Sequence, residues 1–378
     1  MPRSVLFISA MNGDPWGGSE EFWHRLAAWM AQQGHRVGCC FFEWPSGKDE
    51  KIKQLQEAGC RIYPLPNPKQ ARLPLQKIVI RRRGFRLVKK AAADGWDLVC
   101  ISQGGYEDVT HRPFRQLHRH LAKYVLISHN YNDTHRLSAS RTRNLQAWIS
   151  GAALNLMASH RIAGGIQNAS GLEVLRTATL YNPITIASQP EPPGWPATDA
   201  QGRYVWTMLA QLDTARKAQD LLVQALSTPK WKGRNWVLHL YGAGDDRAML
   251  QQLIRQQGME SQIKLMGHTR DVQSVLQQTH LLLQITHIDA MPLSVTEAMN
   301  MARPCVVSRV GDMPLWIEHG KNGYIAPAVT EQGMDTVLEQ AWAEKESWQQ
   351  LGLAAHRVFL EKYPRPYEKY YADLLLNL

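Results

Sequence analysis

The sequence predicts an α/β fold made of two doubly wound domains that face each other across a central cleft. The chain has 378 residues, enough for two domains at roughly 100–200 residues each. Short apolar runs alternate with longer segments of helical period, which is typical of parallel sheets covered by helices on both faces. A proline-rich break at residues 182–202 divides this alternation into two series.

The first series covers the N-terminal half of the chain. Its apolar runs lack polar alternation, so we predict strands that are buried on both faces. These strands are predicted at residues 5–9, 36–42, 61–65, 98–102, 124–128 and 155–158. Stretches of helical period lie between them, as at residues 20–33 and 51–58. We therefore expect residues 1–183 to form the first domain.

The second series begins after the break, where five prolines in residues 182–202 exclude a helix or a central strand. Strands are predicted at residues 204–209, 236–241, 263–266, 281–285 and 305–308, with helical patterns at 217–227, 246–257, 271–278 and 294–301. The tail is helical and is broken at Pro364 and Pro366. We expect residues 184–365 to form the second domain and helix 366–378 to pack back on the first.

Composition indicates an ordinary soluble protein, with 44% hydrophobic and 20% charged residues. No apolar run approaches the ~20 residues that span a bilayer. The first apolar run, residues 5–8, is too short for the core of a signal peptide. The five cysteines include no Cys-x-x-Cys pair, which favours buried free thiols in a reducing compartment. We expect a cytoplasmic protein.

The positive charge is confined to the first half of the chain. Residues 1–183 carry 25 Lys and Arg against 13 Asp and Glu, whereas residues 184–378 carry 18 against 20. The excess peaks at residues 81–90. Such a segment can contact anionic lipid at ~1 kcal/mol per basic residue, bind nucleic acid, or form a solvated helix face. We favour a peripheral contact with the inner face of the membrane over the solvated face, and expect no nucleic-acid partner.

Two glycines follow the first predicted strand and open a helix. Gly17 and Gly18 allow close approach of a ligand to the backbone, and the helix N-terminus offers free N–H groups. Ser19 is the predicted N-cap, and the acidic Glu20 and Glu21 suit the first turn and favour a sugar or an acceptor over a bare phosphate. A merely tight turn between strand and helix is the alternative interpretation.

Three further candidates follow predicted strands, at the edge where open α/β sheets bind ligands. His129 comes directly after strand 124–128, and the Arg216-Lys217 pair precedes a helix and could hold a diphosphate. Gly242 lies in the turn Tyr241-Gly242-Ala243-Gly244, which suits a nucleotide-binding half-domain without the full three-glycine fingerprint. Taken alone, His129 is better explained by ordinary packing and the Gly242 turn is a weak signal, whereas a solvated pair explains Arg216-Lys217 equally well.

The acidic pair Asp245-Asp246 follows the Gly242 turn. Helix N-capping explains these residues better than metal binding does. No Asp-x-Asp motif lies at a strand end, so we predict no metal site and no cofactor.

The most informative segment runs from residue 286 to residue 299. Asp289 lies in a loop after a strand and Glu297, eight positions later, lies in the following helix. Leu293 and Ser294 would begin that helix, with their N–H groups aimed at an anion. Carboxylates accept hydrogen bonds from sugar hydroxyls. The arrangement could therefore hold hydroxyls on both sides of a diphosphate.

These motifs resemble those of the retaining family 4 glycosyltransferases, which have the GT-B architecture of two Rossmann-like domains. The family's Glu-x7-Glu motif corresponds to Asp289 and Glu297. Other matches are the Gly-Gly-x-Glu opening at 17–20, the Gly-His-x-Val run at 34–37, the Asn-Pro turn at 182–183, the Val-Gly turn at 310–311 and the Glu-to-Asn-Gly segment at 318–323. The resemblance covers essentially the whole chain and is most specific over residues 204–327.

The resemblance implies a role for each matched residue. Lys217 would stabilise the diphosphate leaving group together with amides near Leu293 and Ser294, Glu297 would hold the ribose and Asp289 the donor sugar. His129 would contact the donor sugar and the acceptor side. The remaining donor-binding positions implied or suggested by the sequence are Gly17, Gly18, Gln211, Arg216, Gly242 and His268.

Three departures from the family pattern concern the donor site. Asp289 is one methylene shorter than the usual Glu, and Ala290 replaces the glycine that follows it. The Gly-Arg pair of the family is Ala210-Gln211 here, which removes a phosphate cation that Arg216 could replace.

The resemblance implies a retaining, metal-independent transfer of a sugar, of the hexosyltransferase type, from a nucleotide-diphosphate sugar. The acceptor would be a glycan, a lipid-linked molecule or a small molecule, in the biosynthesis of surface polysaccharide or glycoconjugates. Two alternatives remain open: a degenerate member that binds sugar or nucleotide without catalysis, and a nucleotide-sugar epimerase.

Overall fold

The computed structural model describes residues 3–11, 16–44, 49–111, 113–130 and 137–378. The chain divides into two units, each built around its own parallel sheet. The first unit comprises Met1–Pro183 together with Pro364–Leu378, and the second comprises Ile184–Tyr363.

The described part of the first unit contains a sheet of seven parallel strands. They are β1 (Ser4–Ser9), β2 (Arg36–Phe42), β3 (Arg61–Leu65), β4 (Leu98–Gly105), β5 (Tyr124–Asn130), β6 (Leu154–Met157) and β7 (Thr177–Thr179). Their order is β3-β2-β1-β4-β5-β6-β7. Val5 of β1 pairs with Val37 on one side and with Leu98 on the other. The winding therefore reverses at β1, as in a doubly wound fold.

Helices α1 to α5 accompany this sheet. Their bounds are α1 (Gly18–Gln32), α2 (Asp49–Glu57), α3 (Pro74–Ala92), α4 (Ala139–Gly151) and α5 (Arg161–Ser170). Helix α1 buries Phe22, Leu26 and Met30, which recur at helical spacing on one face. Each such side chain contributes ~1.5–3 kcal/mol when fully buried.

Helix α3 is much less buried than α1. Its buried residues are confined to its C-terminal half, from Gly84 onward. Its first half exposes Leu75, Ile78 and Val79. The helix contains seven Lys and Arg residues and no Asp or Glu. It therefore presents both apolar and positively charged surface.

The second unit contains a sheet of six parallel strands. They are β8 (Tyr204–Leu209), β9 (Trp236–Tyr241), β10 (Ile263–Gly267), β11 (Leu281–Gln284), β12 (Cys305–Ser308) and β13 (Gly323–Ala326). Their order is β10-β9-β8-β11-β12-β13, with the reversal at β8. This second reversal confirms the prediction of two Rossmann-like domains.

Nine helices belong to the second unit, which the structure describes throughout. They are α6 (Thr214–Lys217), α7 (Gln219–Leu226), α8 (Pro229–Lys232), α9 (Arg247–Gln256), α10 (Val272–Gln277), α11 (Leu293–Asn300), α12 (Met313–Trp316), α13 (Glu331–Ala343) and α14 (Trp348–Lys362). The core includes a tryptophan cluster in which Trp206 stacks on Trp236, with ring centroids 5.1 Å apart. Trp231 and Trp348 surround this pair.

The last helix, α15 (Tyr367–Leu376), belongs to the first unit. The Tyr371 ring meets Phe22 of α1 edge-on, with centroids 5.2 Å apart. Glu368 forms an ion pair with Arg25, also on α1. Aromatic packing and charge thus attach the C-terminal helix to α1.

Four local predictions differ from the structure. Strands β7 and β13 were not predicted, because each is only three or four residues long and lacks an extended apolar run. The single helix predicted at 217–227 is wrong, since Ala218 adopts a left-handed conformation (φ +52°) that separates α6 from α7. Ser19 is not an N-cap, because α1 already begins at Gly18 and Ser19 bonds to Glu20 instead.

No helix among the described residues is both long and apolar enough to span a bilayer.

Candidate functional site

The short helix α6 carries two of the predicted cations, and two carboxylates hold it. Asp213 is its N-cap and accepts a hydrogen bond from the backbone N–H of Arg216 at 3.2 Å. Asp246 accepts from the backbone N–H and the hydroxyl of Thr214, at 2.7 and 2.8 Å. The fold therefore fixes the position of Lys217 at the end of α6.

Asp246 was expected to cap the helix that follows it, but its side chain caps α6 instead. Asp246 occupies the N-cap position of α9, but its side chain makes no capping hydrogen bond there and bonds to Thr214 at the N-terminus of α6 instead. Among the residues that the structure describes, no three His, Cys, Asp or Glu side chains are grouped closely enough to hold a metal ion.

Lys217 and Asp289 form an ion pair. The Nζ atom of Lys217 donates to Oδ2 of Asp289, and both side chains are largely buried, at 16% exposure each. A single charge at such a position would be costly without its partner. The predicted phosphate cation and the first acid of the motif thus neutralise each other in this structure.

The loop that carries Asp289 is attached to the C-terminal end of α6. The backbone N–H of His287 donates to the carbonyl oxygen of Arg216 at 2.9 Å. Gly311 adopts a left-handed conformation (φ +55°), and a Cβ atom there would lie 2.0 Å from the carbonyl oxygen of Ala290. Only glycine therefore allows the turn at 311 to pack against this loop.

Helix α11 begins at Leu293, as predicted, and its first N–H groups have no acceptor within the helix. Glu297 lies in the middle of α11 and is buried. Its Oε1 atom accepts both the backbone N–H and the hydroxyl of Thr185, at 2.7 and 2.6 Å. The second oxygen, Oε2, has no hydrogen-bond partner among the described residues and is free to accept one from a ligand.

Burial raises the pKa of Glu297, and the two hydrogen bonds from Thr185 oppose this effect. The fold thus positions a desolvated carboxylate with one oxygen already engaged. Thr185, which fixes that oxygen, was not identified from the sequence because it lies 112 residues away in the chain.

A cavity of about 320 Å³ lies beside the carboxyl ends of β8, β9 and β10. It brings together three of the predicted donor-binding residues, namely Gln211, Gly242 and His268. Gly242 has a φ of +151°, and a Cβ atom there would lie 1.9 Å from the carbonyl oxygen of Ala210. Glycine is therefore needed where the two strand-end turns meet.

Arg216 lies close to Gln211, the residue that replaces the family's arginine. Its Nη2 atom donates to Oε1 of Gln211 at 2.7 Å, and its Nε atom donates to Asp213 at 2.6 Å. The guanidinium group of Arg216 is therefore held at the side chain of position 211.

His129 lies at the end of β5 in the first unit and is buried, at 8% exposure. Its Nδ1 atom lies 3.2 Å from Oδ1 of Asn182 and its Nε2 atom 3.1 Å from the hydroxyl of Ser102. Because an amide oxygen only accepts, Nδ1 donates and Nε2 accepts from Ser102. Burial lowers the pKa of His129 to about 4, so the imidazole is neutral at pH 7.

Gly17 and Gly18 lie at the start of α1, also in the first unit. Gly17 is the N-cap, with an extended backbone that any residue can adopt (φ −152°). The fold therefore does not require glycine at 17 for its conformation, and the hypothesis that the loop accommodates a ligand stays a prediction.

Comparison with known proteins finds similarity to glycosyltransferases. Residues 203–342 match the family described as glycosyl transferases group 1. N-acetyl-alpha-D-glucosaminyl L-malate synthase of Bacillus anthracis is 27% identical over 143 residues, which is 36% of this chain and 38% of that protein. Poly(ribitol-phosphate) alpha-N-acetylglucosaminyltransferase of Staphylococcus aureus is 23% identical over 70% of this chain and 52% of its own length. The chain thus spans between about a third and a half of the length of these two relatives.

Solved structures match over the whole chain. HepE of Anabaena in complex with UDP superposes with a TM-score of 0.72 at 15% identity, covering 99% of this chain and 100% of that one. A glycosyltransferase from Rickettsia africae gives a TM-score of 0.75 at 12% identity, covering 99% and 98% of the two chains. These superpositions and the two doubly wound sheets show that this protein has the GT-B fold, and its residues 203–342 are similar to the glycosyl transferases group 1.

Proposed function

We propose that this protein transfers a sugar from a nucleotide-diphosphate sugar to an acceptor, with retention of anomeric configuration and without a metal ion. One observation carries the proposal. The 286–300 segment joins a largely buried Lys217–Asp289 ion pair, the first N–H groups of α11 and a buried carboxylate whose Oε2 atom has no partner among the described residues. These are a phosphate-binding cation, an anion-binding helix end and a hydroxyl acceptor.

The proposed mechanism stabilises the charge that develops on the departing diphosphate. Lys217 Nζ and the amides of Leu293 and Ser294 would meet this charge as the bond to the sugar breaks. Donor binding would then divert Lys217 from Asp289 to phosphate, and the freed carboxylate of Asp289 would accept hydrogen bonds from sugar hydroxyls. The positive charge comes from the chain itself, which supports a metal-independent reaction.

The other predicted residues have supporting roles in this proposal. Glu297 would accept a ribose hydroxyl at Oε2, and the cavity at Gln211, Gly242 and His268 would hold the base. A contact of His129 with the donor sugar would require one of its two present hydrogen bonds to exchange. As a neutral imidazole it would orient the sugar through a hydrogen bond.

The relatives support a role in surface glycoconjugate biosynthesis. Their names include a poly(ribitol-phosphate) alpha-N-acetylglucosaminyltransferase and a lipopolysaccharide 1,6-galactosyltransferase of Salmonella typhimurium, the second 26% identical over 43% of this chain. We therefore propose a glycan or lipid-linked acceptor, and a uridine diphosphate sugar as the first donor class to examine.

The donor site is tested by thermal unfolding with UDP, GDP, ADP, CMP and dTDP, each with and without EDTA. A ligand at 100 times its Kd should stabilise the protein by about 2.7 kcal/mol. We expect one diphosphate to raise the Tm equally with and without EDTA, because Lys217 and α11 supply the positive charge. A shift that EDTA abolishes would contradict metal independence, and no shift with any nucleotide would favour the non-catalytic alternative.

The Glu297→Gln variant allows the effect of Glu297 on stability to be measured separately from its effect on nucleotide binding. The folded-state pKa of Glu297 is raised above its unfolded value of about 4.3, so its ionisation costs free energy that increases as pH rises through the folded pKa. Because the amide lacks this cost, the variant should match or exceed the parent Tm at pH 8, by about 2–4 °C per kcal/mol relieved. The gain should vanish below pH 4, where both states of the parent are protonated.

The same variant should lose the nucleotide-induced shift, because an amide is a weaker acceptor for ribose hydroxyls than a carboxylate. Glu361→Gln, at an exposed position, is the matched control and should change neither measurement. A Glu297→Gln protein that binds the nucleotide as tightly as the parent would remove Glu297 from the proposed site.

The Arg216→Gln variant tests whether Arg216 takes the place of the phosphate-binding arginine that the family has at position 211. If Arg216 is the second phosphate cation, the variant should bind the nucleoside diphosphate about tenfold more weakly while its affinity for the monophosphate changes little. Calorimetric titration with both nucleotides gives this ratio, and Arg247→Gln is the control for an exposed arginine of the same unit. Equal weakening of both nucleotides, or of neither, would show that Arg216 does not select the second phosphate.

We further propose that α3 holds the protein at an anionic membrane surface. The exposed apolar residues of its first half and the basic segment 81–90 together form the amphipathic surface that such a contact needs. Charge and apolar exposure on one helix favour this function over a purely solvated face.

Replacing Arg81, Arg82 and Arg83 by Ser should weaken binding to vesicles containing phosphatidylglycerol by about 1 kcal/mol per residue, roughly a hundredfold in total. Co-sedimentation measures this. The control is a triple Ser variant at Arg255, Lys264 and Arg270, which are exposed on the second unit. Unchanged partitioning of the α3 variant would rule out the membrane contact.

A further inference from the structure

Three helices of the first unit, α1, α2 and α15, form a groove that has no part in the site described above. Its volume is about 690 Å³, within the roughly 300–1,000 Å³ of small-molecule sites. One face of α1, the second half of α2 and the start of α15 line it. None of the residues identified from the sequence as site candidates belongs to this lining.

The groove lies away from the edge of the sheet where open α/β folds bind ligands. Strands β1, β2 and β3 are parallel, so α1 and α2 each run back from the carboxyl end of one strand to the amino end of the next. The lining residues lie within 24–32 of α1 and 54–58 at the end of α2, in the second half of each helix. A ligand here would therefore occupy a different surface from one at the carboxyl edge.

A partly exposed tryptophan lines this groove. Trp29 of α1 retains some exposure, whereas Trp23 of the same helix is buried. Among the residues that the structure describes, the Trp29 indole N–H has no hydrogen-bond partner, and its ring meets no other aromatic ring or cation. The face of an indole ring carries partial negative charge and attracts polarised C–H groups, such as those of a sugar ring. Trp29 therefore offers both a stacking surface and a hydrogen-bond donor.

Further hydrogen-bonding groups line the same groove. The side-chain amides of Gln32 and Gln54 are exposed and have no partner in the described part of the chain. Arg25 orients Glu368 by donating from Nε to Oε1 at 2.8 Å, and the Oε2 atom of Glu368 accepts from none of the described residues. Two amides and an oriented carboxylate thus supply donors and acceptors together, as the hydroxyls of a sugar require.

The charged side chains of the groove are paired. Arg25 pairs with Glu368, and Nζ of Lys53 lies 3.5 Å from Oε1 of Glu57. Burial lowers the pKa of His24, so its imidazole is neutral at pH 7. An anionic polymer or lipid would need unpaired cations, and an amphipathic helix would need an apolar surface, whereas this lining holds a single large apolar side chain. The groove therefore suits a neutral, hydroxyl-rich ligand.

We propose that this groove binds a neutral glycan. Trp29 stacks on one sugar ring, and Gln32, Gln54 and Glu368 bond to its hydroxyls. The site takes no part in sugar transfer, since no donor-site residue lines it. It retains a glycan chain on the protein through a surface of the first unit other than the carboxyl edge of the sheet. The inference goes beyond the proposed function and does not depend on it.

The test uses the full chain on an array of immobilised neutral and acidic oligosaccharides, followed by calorimetric titration with the neutral oligosaccharide that binds best. We expect neutral glycans to bind. Trp29→Ala should weaken binding about tenfold or more because it removes the stacking surface, and Trp29→Phe, which keeps an aromatic ring, should weaken it less. Binding of no neutral glycan, or of acidic glycans alone, would overturn the proposal.

Because Trp29 is partly buried, two exposed glutamines provide a second measurement that the fold should tolerate. Gln32→Ala with Gln54→Ala should weaken binding of the same oligosaccharide about tenfold or more, since two hydrogen bonds are lost. The matched control is Gln33→Ala with Gln56→Ala, at exposed positions of the same segments outside the groove, and it should bind as the parent does. Equal affinities of the two double variants would contradict a glycan site in this groove.

The nucleotide-induced Tm shift is measured in every variant, so that the two proposals are tested apart. It should equal that of the parent, because the candidate donor site lies in the second unit. A protein that binds neutral glycans but no nucleotide would contradict the proposed donor site and leave the glycan site standing. A protein that binds a nucleotide but no neutral glycan would remove the glycan site alone.

Discussion

The ion pair between Lys217 and Asp289 is the interaction on which the second unit's site depends. Lys217 ends a four-residue helix too short to be stable alone, so its position relies on Asp213 and Asp246 at the start of that helix. Asp289 lies in a loop that bonds to the Arg216 backbone and packs against Gly311. The pair therefore joins two weakly structured segments, and the same loop continues into α11 and its buried Glu297.

The departures from the family's motifs are related to one another through this arrangement. Gln211 brings no charge, yet it accepts a hydrogen bond from Arg216, so a guanidinium group still lies at position 211. Asp289 is shorter than glutamate, yet it reaches Lys217 directly. Ala290 replaces a glycine, and its carbonyl oxygen packs closely against Gly311, where a Cβ atom would lie 2.0 Å away. The second unit has thus kept its polar groups while moving some of them to neighbouring residues.

The sequence predicted the architecture well because buried parallel strands are continuous apolar runs, as in β2 and β9, whose bounds match the prediction. It failed where local pattern carries little information. Strand β7 is three partly exposed residues, and Ala218 breaks a helical pattern through a backbone conformation that alanine rarely adopts. Within the site, the chemistry of Glu297 followed from its motif, but its partner Thr185 and the capping of α6 by Asp246 depend on contacts between distant residues.

Two ion pairs of the second unit affect how fast a nucleotide-sugar donor associates with the protein. They join Lys217 with Asp289 and Arg216 with Asp213, and the charges within each pair neutralise each other. Opposite charges at contact distance form dipoles, whose fields fall off faster than those of single charges and are screened beyond about 10 Å at 0.1 M salt. The second unit, whose part of the chain carries a net charge of −2, therefore does not attract anions from a distance. A nucleotide sugar should arrive by unsteered diffusion and be recognised only after contact, when phosphate replaces Asp289 beside Lys217. Association with the donor should consequently depend little on ionic strength, whereas the basic first unit, with its +12, can draw a polyanion in from well beyond contact range.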